Sequence, residues 1–271
     1  MYEQFWGLDR KPFDNRFSQE MYFAADQFRA AELKLRYVIE SRLPAVLLTG
    51  GAGVGKSTVL RLLEERLRGE VLFHPIMFPQ LSSEQLLALI AARLAGKPVQ
   101  ARHAAADSLR QIEDTLMEGA ANDAQHCLVI DECHAMPAES FETLRLLSNL
   151  SETPGMDLTL LLSGQPQIRK TLQAMPQFED RLSARVNLSR LSPRDTSEYV
   201  RHRLAAAGAQ RPIFSESAIE QLHNATMGVP GRINRLADMT LLIGYADDVS
   251  LISAEHVRNV DRGLFTMPWA A

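Results

Sequence analysis

Residues 50–57 read Gly50-Gly51-Ala52-Gly53-Val54-Gly55-Lys56-Ser57, with Thr58 next. Glycines and a lysine at this spacing suit the binding of a polyphosphate. Glycine lets successive backbone N–H groups turn inward onto phosphate oxygens, Lys56 reaches the β and γ phosphates, and the Ser57 hydroxyl is a magnesium ligand. A helix starting here adds the partial positive charge of its first turn. A second set of residues supplies acids: Cys127-Leu128-Val129-Ile130 reads as a buried strand and runs straight into Asp131 and Glu132. Asp131 would hold magnesium through water and Ser57, and Glu132 would polarise the water that attacks the γ phosphate. The other role open to Asp131 is to cap the helix that follows.

These groups work only if a strand, a turn and a helix hold them. Ala45 to Leu48 is the apolar strand before the glycines, and Thr58 to Arg68 is an amphipathic helix carrying Val59, Leu60, Leu62, Leu63 and Leu67, with Gly69 as its stop signal. Strands are expected near 45–49, 71–77, 127–131, 158–163 and 186–190. Helices are expected near 24–41, 57–68, 82–94, 105–119, 139–150 and 166–174. That alternation demands a parallel sheet with crossover helices. After Leu191 the pattern changes. Ser192-Pro193-Arg194-Asp195 is a helix start, and helices near 193–207, 215–226, 230–245 and 253–262 follow. The fold class is α/β, with a nucleotide-binding core over 1–191 and a small all-helical lid over 192–271. The Ala-rich stretch 101–107 reads as a short loop or helix lead-in.

With 271 residues, 46% of them hydrophobic and 23% charged, the chain is long enough for a substantial core. The net charge of −4 gives no bulk pull toward nucleic acid or membrane. The two cysteines, Cys127 and Cys133, have no metal-ligand spacing with the seven histidines, and His134 reads as a solvated or hydrogen-bonded side chain. No apolar run reaches ~18 residues and the start lacks a signal-peptide pattern, so a cytoplasmic chain without membrane insertion is expected.

An α/β core with a helical lid resembles the AAA+ ATPases. Within them the chain looks most like the ExeA/GspA-type ATPases of bacterial secretion and pilus assembly. The segments that carry the likeness are Phe5-Trp6-Gly7-Leu8, Lys11-Pro12-Phe13, Ser163-Gly164-Gln165-Pro166, Leu191-Ser192-Pro193 and Gly228-Val229-Pro230-Gly231-Arg232-Ile233-Asn234-Arg235-Leu236. The resemblance implies an AAA+ P-loop core with a parallel five-stranded sheet, and ATP and Mg2+ as ligands. It puts Ser163 or Gln165 in the sensor-1 position, steadying the attacking water. Glu179-Asp180-Arg181-Leu182-Ser183-Ala184-Arg185 is similar to the segment that presents an arginine finger to a neighbouring subunit, with Arg185 as the finger and Arg181 second. Both arginines also read as surface ion-pair partners of Glu179 and Asp180. Arg232 is the sensor-2 candidate, but Gly231 stands where family members often carry a basic residue, so the duty falls on Arg232, on Arg235, or is lost. Pro12 and Phe13 would lie near the adenine ring, or serve as a plain core staple.

The resemblance further implies a homo-oligomer, ring or filament, hydrolysing ATP at its subunit interfaces to drive or regulate assembly of a larger machine. In one reading its partner is a protein of a secretion or pilus machine. Proteins of that type continue past the lid into a membrane-spanning segment, whereas this chain stops at Ala271, so another protein would couple it to the membrane. In the alternative the chain resembles the TnsC/TniB transposition ATPases, which assemble on double-stranded DNA. Arg169-Lys170, Arg190, Arg194 and Arg201-His202-Arg203 would then contact phosphates. A helicase fails on size, because a second motor domain does not fit in the residues remaining.

Overall fold

The computed structural model describes residues 1–77, 80–99 and 104–266. In chain order its helices are α1 (Glu3–Trp6), α2 (Asp26–Glu40), α3 (Lys56–Arg66), α4 (Ser83–Leu94), α5 (Ala105–Ala120) and α6 (Ala138–Ser148). They continue with α7 (Ile168–Gln173), α8 (Pro176–Glu179), α9 (Pro193–Ala206), α10 (Glu216–Thr226), α11 (Pro230–Ala246) and α12 (Ala254–Thr266). The strands are β1 (Ala45–Gly50), β2 (Val71–Ile76), β3 (Gln125–Ile130), β4 (Leu158–Gly164) and β5 (Leu182–Leu188). Of the Ala-rich stretch, 101–103 lies outside the described residues and Ala105–Asp107 opens α5.

Residues 27–52 and 56–188 form one compact unit. Its strands are all parallel, in the order β2-β3-β4-β1-β5. A parallel pair needs a crossover that covers a face of the sheet, so central strands read as unbroken apolar runs. β1 and β4 are buried along their whole length, whereas the edge strands β2 and β5 mix buried and exposed positions. Register places Leu48 opposite Ser163, Thr49 opposite both Gly164 and Asn187, and Ile130 opposite Leu162, which brings the carboxyl ends of β1, β3 and β4 side by side. Beneath them Leu47, Leu128, Leu160, Leu162, Ile90 and Phe141 share one apolar core.

β5 corrects one expectation. It spans Leu182–Leu188 rather than 186–190, because Leu182, Ala184 and Arg185 already pair with β1 across an irregularity at Ala45/Val46. Ser183 and Arg185 in that stretch are exposed at the sheet edge, which hides the strand from a search for apolar runs.

Between β2 and β3 lies a histidine pair, His126 buried and His74 half-buried. The rings of His74 and His126 stack with centroids 5.2 Å apart, and His74 Nε2 is 3.0 Å from His126 Nδ1. His74 Nδ1 is 3.1 Å from the Arg93 carbonyl, which only accepts, so this ring nitrogen carries the hydrogen and the proton between the rings belongs to His126. His126 Nε2 is left buried without a partner among the described residues, aimed where a Cβ on Gly119 would sit. Burial first, and then the neighbouring His126, pushes His74 down to about 4; burial also lowers His126, against a partly opposing pull from Asp157.

Residues 1–26, 53–55 and 189–271 form the second unit. Ser192 caps α9, its hydroxyl accepting the Asp195 N–H at 3.1 Å while Asp195 returns a bond to the Ser192 N–H. The expected division at 191/192 counts the N-terminal segment with the core, but its contacts put it with the C-terminal helices. Trp6 is 1% exposed and donates its indole N–H to the Leu241 carbonyl at 3.0 Å. Phe13 stacks edge-to-face on Phe214, and the buried Arg203 donates to the carbonyls of Pro12 and Asp14 at 2.5 and 2.6 Å. Large aromatic side chains are stabilised by burial at roughly 25 cal/mol per Å2, and these find their apolar partners some two hundred residues away.

Candidate active site

β1 ends in glycine and the chain turns through positive φ at Gly53 (74°) and Gly55 (108°) before α3 begins. That geometry admits only glycine cheaply. Lys56, first in α3, is 5% exposed. Its ammonium donates to the carbonyls of Gly50 at 3.0 Å and Gly51 at 3.3 Å, and it forms no ion pair among the described residues. A buried cation held only by carbonyls fits an anionic ligand, since burial of an unpaired charge is costly. One position on, the Ser57 hydroxyl donates to Asp131 Oδ2 at 2.9 Å. A hydroxyl and a carboxylate meeting where β1 and β3 end is the donor set for a hard divalent cation such as magnesium. No three His, Cys, Asp or Glu side chains gather into a further metal site among the described residues.

Glu132 is in the left-handed conformation, φ 53°, with its N–H donating to Asp131 Oδ1 at 2.9 Å. Its side chain is half exposed, and Oε2 lies 3.4 Å from His134 Nδ1. Ser163 is fully buried at the end of β4, and its hydroxyl has no partner among the described residues. Gln165 offers its backbone N–H to His134 Nδ1 at 3.4 Å. Ser163 thus lies within β4 and Gln165 just after it, and β4 pairs with β3, the strand that leads into the acid pair. The histidine is hydrogen-bonded, as its sequence context suggests.

The finger candidates lie on the edge of the sheet. Arg185, opposite Leu47 on β5, pairs with Glu179 at 3.0 Å with its side chain 56% exposed. Arg181 pairs with Glu152 rather than with Glu179 or Asp180. In the second unit, the Gly231 N–H donates to the Gly53 carbonyl at 3.0 Å, and a Cβ on Gly231 would stand 3.4 Å from Gly53 Cα and O. This backbone-to-backbone approach explains the glycine where a basic residue is expected. Arg232 and Arg235 are exposed on α11 and make no ion pair among the described residues. Pro12 and Phe13 are both buried in that unit.

The sequence reading did not foresee a polar network beside the glycines. Thr49, just before the glycines, lies 3.1 Å from Asn187 Oδ1, which also accepts from Arg169 at 3.2 Å. Only strand register reveals that network. The basic stripe after Leu191 is largely committed to the fold: Arg194 pairs with Glu198, Arg201 with Glu216, and Arg203 is buried.

A family model described as an AAA domain matches residues 40–172. The chain carries an AAA domain of the AAA+ ATPase fold. It is 32% identical to general secretion pathway protein A of Aeromonas hydrophila over 248 residues, 91% of this chain and 45% of that protein, so it spans about half of that relative's length. Solved structures with the same fold include Cdc6p of Pyrobaculum aerophilum (TM-score 0.72, 16% identity, 95% of this chain and 72% of that one). The Aeropyrum pernix ORC2 protein in ADPNP–ADP complexes is similar at TM-score 0.69 and 17% identity over 93% of this chain and 71% of that one. The Drosophila ORC bound to DNA aligns at 0.70 and 15% identity over 98% and 67%. Among the described residues no helix is long and apolar enough to cross a membrane.

Proposed function

We propose that this AAA-domain chain hydrolyses ATP to ADP and phosphate at the subunit interfaces of an oligomer, in the service of a secretion or pilus machine. The observation that carries the reading is the buried Lys56 beside the Ser57–Asp131 bond at 2.9 Å, beyond the carboxyl ends of the parallel strands β1 and β3, which flank β4. Magnesium, when bound, neutralises charge between the β and γ phosphates. Lys56 exchanges its carbonyl partners for phosphate oxygens, Ser57 and Asp131 hold the cation, and Gly50 through Thr58 offer backbone N–H groups. Glu132 accepts a proton from the attacking water, and Ser163 or Gln165 steadies that water. Arg185 is offered to the neighbouring protomer with Arg181 second. The exposed Glu179 pair binds it with at most about 1 kcal/mol, so it is readily released. Arg232, with Arg235 second, serves as sensor 2, and Pro12 and Phe13 border the adenine. The cytoplasmic setting belongs to the same reading.

Lys56→Ala should weaken ATP binding by about a hundredfold. Glu132→Gln should bind ATP normally and turn it over about a thousandfold more slowly. Calorimetric titration and phosphate release measure the two, and undiminished hydrolysis by Glu132→Gln removes it as the base. The second reading, assembly on double-stranded DNA, draws on the exposed Arg169, Lys170 and Arg190. Sedimentation with duplex and a non-hydrolysable ATP analogue at two salt concentrations separates them: DNA-dependent assembly that weakens with salt selects the DNA reading, and indifference selects a protein partner.

A further inference from the structure

The turn after β3 makes contacts that the roles of Asp131 and Glu132 do not require. A single nitrogen of His134 faces two groups: Glu132 Oε2 at 3.4 Å and the backbone N–H of Gln165 at 3.4 Å. A neutral imidazole nitrogen donates or accepts, and cannot do both at once. With the hydrogen on Nδ1 the ring stands within ion-pair reach of the Glu132 carboxylate. With it on Nε2 the ring accepts from Gln165.

The surroundings fix the ring in this place. Glu132 enters the turn in a backbone conformation that side-chain-bearing residues seldom adopt. The fully buried Cys133 follows, and a Cβ on Gly164 would lie 2.9 Å from Cys133 Sγ and 3.2 Å from the His134 backbone nitrogen. The acid turn and the end of β4 thus meet at a point where only glycine fits, with Ser163 on one side of it and Gln165 on the other. The His134 side chain is 20% exposed and that of Glu132 50%, so the ring is the fixed partner and the carboxylate the movable one.

We propose that His134 is a positioning residue for hydrolysis: its Nδ1 orients the Glu132 carboxylate in one tautomer and releases it when, in the other, it accepts from the Gln165 turn after β4. This rests on the hydrolytic role of Glu132 given above. His134→Leu removes the nitrogen, whereas His134→Asn places an amide near it. Kinetics and thermal melts of both, with wild type and Lys56→Ala as references, form the test. His134→Leu is expected to lower kcat by about tenfold with KM for ATP and Tm unchanged, and His134→Asn to stay near wild type. In the Glu132→Gln background His134→Leu should cost nothing further. An unchanged kcat in His134→Leu, an equal loss in His134→Asn, or a full additional loss in the Glu132→Gln background each overturns the proposal. A readout independent of turnover is the imidazole 15N spectrum at fixed pH, in which Glu132→Gln should shift the His134 Nδ1 resonance; an unmoved resonance also overturns it. Wild type that hydrolyses no faster than Lys56→Ala sinks the ATPase reading instead, and the 15N comparison still decides the contact.

Discussion

At the residue scale, the site uses a buried ammonium without a carboxylate partner among the described residues, and an imidazole pair elsewhere, one ring buried and one half-buried, sets a pH limit on the fold. His74 and His126 have folded values below those of the unfolded chain, where histidine titrates near ~6.5. The unfolded state therefore binds more protons as pH falls. The pair's contribution is complete above about pH 6.5 and is lost as pH drops toward the folded values, about 4 for His74. The unfolding free energy, and with it the denaturant midpoint, should accordingly fall between pH 7 and pH 5, the free energy by up to about 1.4 kcal/mol per pH unit for each proton taken up. His74→Gln should flatten that slope, and urea melts at the two pH values check it. The bond between His74 and His126 could not be foreseen from chain positions 52 residues apart, whereas Lys56, Ser57, Asp131 and Glu132 are legible because their chemistry is local to a loop and a strand end.

At the element scale, legibility follows the same division. The central strands announce themselves as apolar runs, and the C-terminal helices by caps such as Ser192 with Pro193. β5 begins earlier than its apolar residues suggest, because edge position lets Ser183 and Arg185 face water. The left-handed Glu132 carries no sequence signal, since glycine is the residue that marks such a turn. Nor can periodicity show that the segment around Trp6 and Phe13 packs on helices near the other end of the chain. Two substitutions weigh these local devices. Ser192→Ala removes one helix cap and should cost about 1 kcal/mol. Gly228→Ala should cost more, roughly 3 kcal/mol, because φ is 70° and a Cβ would lie 2.1 Å from the Leu191 carbonyl oxygen. Thermal melts that rank the two in the opposite order contradict the packing given for the Leu191–Gly228 bond.

At the scale of the whole molecule, the proposed shared site makes activity a property of pairs. Arg185→Ala should bind ATP and turn it over about a thousandfold more slowly, as loss of a trans arginine does. Mixed with Lys56→Ala it should regain part of the lost rate, since some interfaces then combine an intact loop with an intact arginine. Phosphate release across mixing ratios measures this, and a flat response with both proteins folded argues for self-contained protomers. The strand that carries the acids also holds an intrinsic reporter. Cys127 lies at the centre of β3 and Cys133 just beyond it, both free and fully buried, with burial raising each thiol well above the usual range. Neither should react with alkylating reagents until the sheet opens, so mass-spectrometric pulse labelling clocks that opening without engineered probes, and ATP bound at a hundred times its dissociation constant should slow the clock by about a hundredfold.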